Sequence, residues 1–418
     1  MSEPESASPR RTPLALLGAL YVSQSVPLGF FIVALPAIAR SEGLSLERVG
    51  LLQTLAFPFL LKFLWAPLVD RFGARRGHFT SWIIPLQILS LLAVVGLAML
   101  EPFAALSDAG GIATLLVFLL TTIFMVSAAT QDVATDGLAV RLVPRERRGF
   151  ANGVQVGGYY LGQILGGGLA LVLYGQLGWK ASLLIMAIPL GLPLLFLISF
   201  RESEFGAKPE ATKSRIGFVS LKQFFARSGI WIWIVILLGY RAGEQMALAM
   251  LNPMLVDFDY SLETVGLIVG LVGSLASLLG ALSGGALVQR LGRKRSLVML
   301  GGCLAVALLS YLLPATTGAL WSVVLAVSLV SFAGGAATAA LYTAMMDRCR
   351  YQSSASDFTV QQSLCAVGPL VAVGFSGLSA AMLGYTGHFL LSAVLAGGVV
   401  VFVAMFLKAD RGEEVGDQ

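Results

Sequence analysis

The sequence predicts an all-α membrane protein with twelve transmembrane helices arranged as two six-helix bundles. Of its 418 residues, 57% are hydrophobic and only 12% are charged, well below the roughly 25% charged residues of a typical soluble domain. Twelve apolar runs are long enough to cross a bilayer core. Two short motifs recur at the same place in each set of six runs, which indicates an internal duplication.

The apolar runs set the expected boundaries of the helices. They fall at 13–39, 49–69, 80–100, 112–138, 150–174, 181–200, 230–256, 264–288, 297–313, 319–345, 358–382 and 387–407. The longest polar segment separates the sixth run from the seventh. We therefore expect a first bundle over 1–200, a cytoplasmic linker over 201–229 and a second bundle over 230–418.

Lysine and arginine residues predict the orientation. Of the 28 such residues, nearly all lie in the two tails and in the loops on the side of the termini. The opposite loops contain only Arg40, Arg48 and Lys180. Positive residues are retained on the cytoplasmic side, so both termini are expected in the cytoplasm. The net charge of +5 then reflects topology, and no nucleic-acid partner is expected.

The distribution of reactive residues argues against several function classes. Three cysteines and two histidines are scattered along the chain, so neither a disulfide framework nor a metal site is expected, and no cofactor is implied. No GxxxxGK[ST] phosphate-binding loop occurs. A membrane enzyme and a non-transporting sensor are the alternatives to a secondary transporter, but the chain lacks an extended polar loop or a soluble domain to serve them.

Two pairs of similar segments carry the duplication. SLERVGLL (45–52) matches SLETVGLI (261–268), and DRFGARR (70–76) matches QRLGRKR (289–295) at nearly the same offset. Parallel six-helix repeats are typical of one large class of transporters. APLVDRFGARR (66–76) resembles GxLxDRxGRRR, the hallmark loop of the major facilitator superfamily, and the second copy lacks the aspartate. The resemblance implies the twelve-helix major facilitator fold.

Longer segments narrow the resemblance. LKFLWAPLVDR (61–71), the segment 130–162 from TQDVATDG to GGYYLG, and GYRAGEQ (239–245) resemble the muropeptide-permease-like branch of the superfamily. The first helix, YVSQSVPLGFFIVALPAIAR (21–40), is most similar to siderophore permeases of the rhizobactin and pyochelin type. The resemblance implies a monomeric inner-membrane permease, surrounded by lipid, whose partner is a small-molecule substrate.

Polar side chains in the first bundle are candidates for the transport pathway, because buried charges usually face a cavity or a partner. Gln24 lies near Pro27, which either shapes a site or kinks the helix for packing. Lys62 lies eight residues before Asp70, roughly 12 Å along the helix axis. Its ammonium ion can attract an anionic substrate or pair with a carboxylate on the fourth helix.

The fourth helix carries two carboxylates on one face, Asp132 and Asp136, one turn apart. Close carboxylates in an apolar site favour a proton on one of them, so both are candidate proton carriers. The alternative for Asp136 is a pairing with Arg141 or with the hallmark loop. On the fifth helix, Gln155 and Tyr159 belong to a polar stripe that either binds substrate or contacts neighbouring helices.

In the second bundle, Arg241 and Glu244 are spaced for an ion pair within one helix. Protonation of Glu244 would free Arg241 for an anion, although the pair can equally be structural. Gln245 and Gln361, the latter beside Gln362, are further candidate substrate contacts.

The hallmark loop predicts a gate. Asp70, Arg71 and Arg75 can pair with charges at neighbouring helix ends, with Arg141 among the candidates. In the family that the loop resembles, such pairing locks the outward-facing state. The resemblance, together with the charges inside the helices, implies a proton-coupled importer of a ferric siderophore, with a muropeptide or another anionic small molecule as the alternative cargo.

Overall fold

The computed structural model describes residues 14–45, 55, 57–72, 77–100, 111–202 and 218–407. The regular structure in these residues is helical. Twelve helices are described, eleven of them over most of a span and α2, in the second predicted run, only in part. They are α1, Leu14–Ser41; α2, 57–71; α3, Thr80–Ala98; α4, Ile112–Leu142; α5, 148–177; α6, 179–199; α7, Ile230–Asp257; α8, Glu263–Leu291; α9, Arg293–Thr317; α10, Leu320–Met346; α11, 354–383; and α12, 385–406.

Two pairs of helices follow one another almost without a loop. Within the described residues, α5 and α6 lie in one helical stretch of 55 residues, Arg145–Ser199, and α11 and α12 lie in one of 56 residues, Tyr351–Phe406. Gly178 and Gly384 divide them, with φ of 75° and 67°. Only glycine adopts this left-handed conformation without a steric cost, so each glycine reverses the chain between two membrane spans.

Several helices are irregular in the middle of the bundle. Helix α2 contains a 3₁₀ turn at Lys62–Leu64, followed by Pro67, which has no N–H for the carbonyl of Phe63. Helix α7 is interrupted by a turn at Tyr240 and Arg241. Such breaks in membrane helices accompany binding sites, and each of these two breaks carries one of the cations predicted inside the bundle.

The two halves meet through small residues. Gly149 and Gly153 of α5 contact Gly285 of α8, and a Cβ on Gly285 would lie 2.5 Å from the carbonyl oxygen of Gly149. In lipid, the hydrophobic effect does not drive helices to associate, and glycines instead let the helices approach closely enough to pack. The glycine-rich fifth helix therefore serves packing between the halves.

The outer surface of the described helices is apolar. Large side chains such as Ile112, Ile188, Ile198, Leu195 and Met382 are exposed, whereas a soluble protein rarely exposes so continuous an apolar surface. This surface fits the acyl chains of a bilayer, and the polar side chains described next lie inside it.

Candidate substrate and coupling site

A buried ion pair forms the centre of the first half. The ammonium ion of Lys62, on α2, contacts the Oδ2 atom of Asp132, on α4, and both side chains are buried. Gln24 of α1 donates from Nε2 to Oδ1 of Asp132 at 2.5 Å. The structure therefore brings three predicted site residues together, and Lys62 takes the carboxylate partner that was one of its two expected roles.

Lys62 also reaches the second half. Its Nζ atom donates to Oε1 of Gln362, on α11, at 2.6 Å. A charged side chain thus joins the halves inside the bundle, where hydrogen bonds to charges are strong.

The neighbouring Gln361 forms its hydrogen bonds within the second half. Its Nε2 atom donates to the carbonyls of Met345 and Asp357 at 3.1 and 3.0 Å, and its Oε1 atom accepts from Nε1 of Trp233 at 2.7 Å. These groups all belong to the second half. The role of Gln361 as a substrate contact stays a prediction, and the rotation of α11 points Gln362 to the interface and Gln361 into its own bundle.

Asp136 is fully buried one turn from Asp132. Its Oδ1 atom accepts from the hydroxyl of Tyr21 at 3.2 Å and from Nε2 of Gln155 at 2.8 Å. Its Oδ2 atom is buried without a partner among the described residues. Among the described ion pairs, none joins Asp136 to Arg141, the alternative partner. Gln155 contacts this carboxylate of the neighbouring helix.

A chain of amides supports this region from behind. Gln131 of α4 donates to Oε1 of Gln87 on α3 at 2.6 Å, and Gln87 donates to the hydroxyl of Ser23 at 2.9 Å and to the carbonyl of Leu190. Such a buried network fixes the relative rotation of α1, α3 and α4. The sequence signal was a lone glutamine in an otherwise apolar third helix, and its role depends on packing.

The second half has a local ion pair at the break in α7. Nε of Arg241 donates to Oε2 of Glu244 at 3.1 Å, as the spacing predicts. The Oε1 atom of Glu244 lies against Gly334 of α10, where a Cβ would approach it to 2.1 Å. Tyr159 of α5 lies close enough to Arg241 to interact electrostatically. Gln245, one residue beyond Glu244, is half-buried.

One end of the bundle is closed by contacts between the halves. We call it the basic end, defined by Asp70, Arg141, Arg148, Arg293 and Asp347. Asp70 accepts hydrogen bonds from the backbone N–H groups of Ala355 and Ser356 at 3.1 and 2.7 Å, and from the Ser356 hydroxyl at 2.5 Å. A carboxylate at a helix N-terminus satisfies free N–H groups and the helix dipole.

The gate role of Asp70, Arg71, Arg75 and Arg141 stays a prediction, and Arg141 lies close enough to Asp70 to interact electrostatically. Asp70 was expected to pair with charged side chains, whereas it binds the first turn of α11. Arg141 donates to the carbonyl of Tyr351 at 3.2 Å and lies over the ring of Phe79. Arg71 is exposed beside Phe72, and Arg75 lies outside the described residues.

A second contact at the basic end was missed by sequence reasoning. Asp347, buried after α10, accepts from Arg148 of α5 at 2.9 Å and from Arg293 of α9 at 2.5 Å. Arg293 also donates to the carbonyl of Arg145 at 2.6 Å. In the sequence these arginines read only as topology signals, because their common partner lies about 50 residues or more away and only the fold brings them together.

The chemistry available here is binding and movement. Buried Lys62 and partly buried Arg241 face carboxylates at breaks in α2 and α7, glutamine amides lie near them, and contacts between the halves close one end. Among the residues that the structure describes, no group of three His, Cys, Asp or Glu side chains can hold a metal ion. Two apolar bundles that enclose charged side chains and close at one end define a secondary transporter.

Comparison with known proteins identifies the family. Residues 17–360 match the family model of the Major Facilitator Superfamily, and the chain belongs to this superfamily. It is 29% identical over 398 residues to the anhydromuropeptide permease of Escherichia coli K12, covering 93% of this chain and 78% of that protein. It is 24% identical to the putative transporter AmpG 4 of Rickettsia felis, covering 93% of this chain and 95% of that protein.

Solved structures agree on the fold. The fucose:proton symporter FucP of E. coli has a TM-score of 0.68 at 16% identity, covering 96% of this chain and 100% of that chain. A bacterial homologue of the iron transporter ferroportin in an outward-facing state has a TM-score of 0.62 at 18% identity, covering 93% of this chain and 96% of that chain. At these identities the likeness concerns the fold alone.

Proposed function

We propose that this protein imports anhydromuropeptides from the periplasm into the cytoplasm of a bacterium, across the inner membrane and driven by co-transported protons. The observation that carries the proposal is Lys62, whose ammonium ion binds Asp132 in its own half and Gln362 in the other half. An anionic cargo that competes for Lys62 weakens a contact between the halves, so that binding favours a change of conformation.

The buried charges suit an anionic cargo with many hydrogen-bonding groups. Lys62 and Arg241 supply one cation in each half, and Gln24, Tyr159 and Gln245 supply groups that can bind neutral parts of a ligand. An anhydromuropeptide combines peptide carboxylates with sugar hydroxyls. Gln155 supports Asp136 and contributes indirectly in this scheme.

The named relatives favour this cargo over a ferric siderophore. Anhydromuropeptide transport is named for a protein that is 29% identical over 93% of this chain. The ferric siderophore, which the first helix suggested, has no support in the relatives described above. The muropeptide alternative from the sequence therefore becomes the leading proposal.

The basic end supports the proposed direction of transport. Loops rich in Lys and Arg are retained in the cytoplasm, which assigns the basic end and both termini to that side. The contacts of Asp70 with the first turn of α11 and of Asp347 with Arg148 then close the cytoplasmic side. In this conformation we propose that the protein receives cargo from the periplasm. Arg71 and Arg75 belong to the same loop and are proposed to support the gate.

Uptake into proteoliposomes tests the proposal. With an acidic exterior, labelled anhydromuropeptide is expected to accumulate, and accumulation is expected to stop when the proton gradient is dissipated. The matched variants are Lys62→Met, which removes the central cation, and Lys180→Met, which removes an exposed one. Accumulation of a labelled ferric siderophore without anhydromuropeptide uptake would overturn the assignment of cargo in favour of the siderophore.

A further inference from the structure

The two carboxylates of α4 differ in their environment although they lie one turn apart. Asp132 has a cation, Lys62, in direct contact and a donor amide from Gln24. Asp136 receives neutral donors, the Tyr21 hydroxyl and the Gln155 amide, and the neutral amide of Gln362 also lies close to it. A buried carboxylate without a cation is far more costly to keep ionised than a paired one.

The groups that face Asp136 come from several helices. Tyr21 lies on α1, Gln155 on α5 and Tyr342 on α10, and the ionisable Asp132 lies on the same helix. Lys62 on α2 acts on Asp136 from a distance while its ammonium ion contacts Asp132, and Cys349 beyond α10 also lies within electrostatic range. Among the ion pairs formed by described residues, the Lys62 pair goes to Asp132 and none goes to Asp136.

The two oxygens of Asp136 are not equivalent. Both neutral donors bind Oδ1, so its lone pairs are occupied, whereas Oδ2 is buried and has no partner among the described residues. A buried acceptor without a donor is unfavourable. A proton on Oδ2 removes the charge of the carboxylate and leaves both hydrogen bonds to Oδ1 in place.

We infer that Asp136 is the residue that takes up and releases the coupling proton, while Asp132 stays ionised as the partner of Lys62. Tyr21 and Gln155 are positioning residues, because they hold Oδ1 and leave Oδ2 to react. In the uptake step a hydronium ion transfers its proton to Oδ2, an O–H bond forms, and one water molecule is left. Release to the cytoplasm is the reverse transfer to water.

This inference deepens the proposed function and rests on it for the transport cycle. It separates two roles that the sequence could not separate, since Asp132 and Asp136 share one helical face. Asp132 maintains the cargo-binding cation, and Asp136 carries the driving ion. Replacing each aspartate by asparagine therefore has a different consequence for binding and for energy coupling.

The experiment compares Asp136→Asn with Asp132→Asn in two assays. One is accumulation of labelled anhydromuropeptide driven by an acidic exterior, and the other is counterflow exchange, which needs no net proton movement. For Asp136→Asn we expect accumulation to fall about tenfold or more while exchange stays within about twofold of the wild type. For Asp132→Asn we expect both to fall. Full accumulation by Asp136→Asn would overturn the inference, as would accumulation driven by sodium instead of protons.

A second variant guards against loss of folding. Gln155→Leu removes a donor that favours the charged carboxylate, so the pH dependence of exchange is expected to move to more alkaline values. An unchanged pH profile would contradict the role of Asp136.

The proton site is also testable without cargo. After an acid pulse on the detergent-purified protein, followed with a pH indicator, the Asp136→Asn variant should bind one proton fewer than the wild type. This last result is independent of the cargo, so failure of the cargo assignment and failure of the proton site are distinguishable.

Discussion

The two buried ion pairs, one in each half, differ in how far they reach. Lys62 and Asp132 lie on separate helices, 70 residues apart in sequence, and Lys62 continues to Gln362 of the other half. Arg241 and Glu244 lie within one turn of α7, and Glu244 ends against Gly334 of the same half. The first pair can therefore report cargo binding to the contact between the halves. The second pair lies within one helix, and it meets the other half through the electrostatic interaction of Arg241 with Tyr159.

The largest effect is expected for Lys62→Met. Removing one partner of a buried ion pair leaves Asp132 with an uncompensated charge, which costs about 3–5 kcal/mol of stability. Uptake of anhydromuropeptide is expected to fall about 100-fold. Thermal unfolding in detergent and proteoliposome uptake measure the two effects separately.

The double variant Lys62→Met/Asp132→Asn distinguishes a structural pair from a functional one. Because both charges are removed, thermal stability is expected to return towards that of the wild type, while uptake is expected to stay low. Recovery of uptake together with stability would mean that the pair only holds the fold.

A smaller effect is expected for Arg241→Met. The pair is local and the Arg241 side chain is 22% exposed, so the loss of Arg241 leaves less buried charge without compensation than the loss of Lys62. We expect KM for anhydromuropeptide to rise about tenfold, about 1.4 kcal/mol, with little change in thermal stability. A loss of uptake as large as that of Lys62→Met would remove the distinction between the two pairs.

The Asp70→Asn variant tests the closed basic end. Asparagine keeps an acceptor but loses the charge that favours the N-terminus of α11, at a cost of about 1 kcal/mol. The closed conformation is expected to become less populated. In protein whose exposed Cys303 is replaced by serine, alkylation of the half-buried Cys349 should accelerate about fivefold. The exposed Glu263→Gln serves as the matched control and should leave the rate unchanged.

The smallest effect is expected for Gly334→Ala. The added methyl group would meet Oε1 of Glu244 at 2.1 Å, so the carboxylate must move and its contact with Arg241 weakens. We expect a loss of about fivefold in kcat/KM, about 1 kcal/mol. Gly302→Ala, where a Cβ meets nothing within 4 Å, is the control. Equal losses in both variants would show that Gly334 serves helix packing alone.

The parts that depend on local pattern were predictable from the sequence. Apolar length predicted the spans, and the i, i+3 spacing predicted the Arg241–Glu244 pair. Lys62 could be located in the membrane, but its choice between cargo and Asp132 depends on the rotations of α2 and α4. The contact of Gln362 with Lys62 depends in the same way on the rotation of α11, because the neighbouring Gln361 points into its own bundle.

The contacts of the basic end could not be derived from charge alone. Asp70 binds backbone N–H groups of α11, which no count of charged residues reveals. Asp347 forms ion pairs with Arg148 and Arg293, which belong to opposite halves. Only the tertiary fold brings these side chains together. The duplication predicted where such contacts form, and the packing of the halves decided which residues make them.

The most direct test of the central claim follows the separation of the halves at the basic end. Spin labels are attached to cysteines introduced at the exposed residues Glu146 and Arg295, with Cys303 and Cys349 replaced by serine. Double electron–electron resonance then reports the distance between the labels. Addition of anhydromuropeptide at acidic pH is expected to lengthen the distance in the wild type and to leave it unchanged in Lys62→Met. Equal lengthening in both proteins would contradict the claim that Lys62 links cargo binding to the movement of the halves.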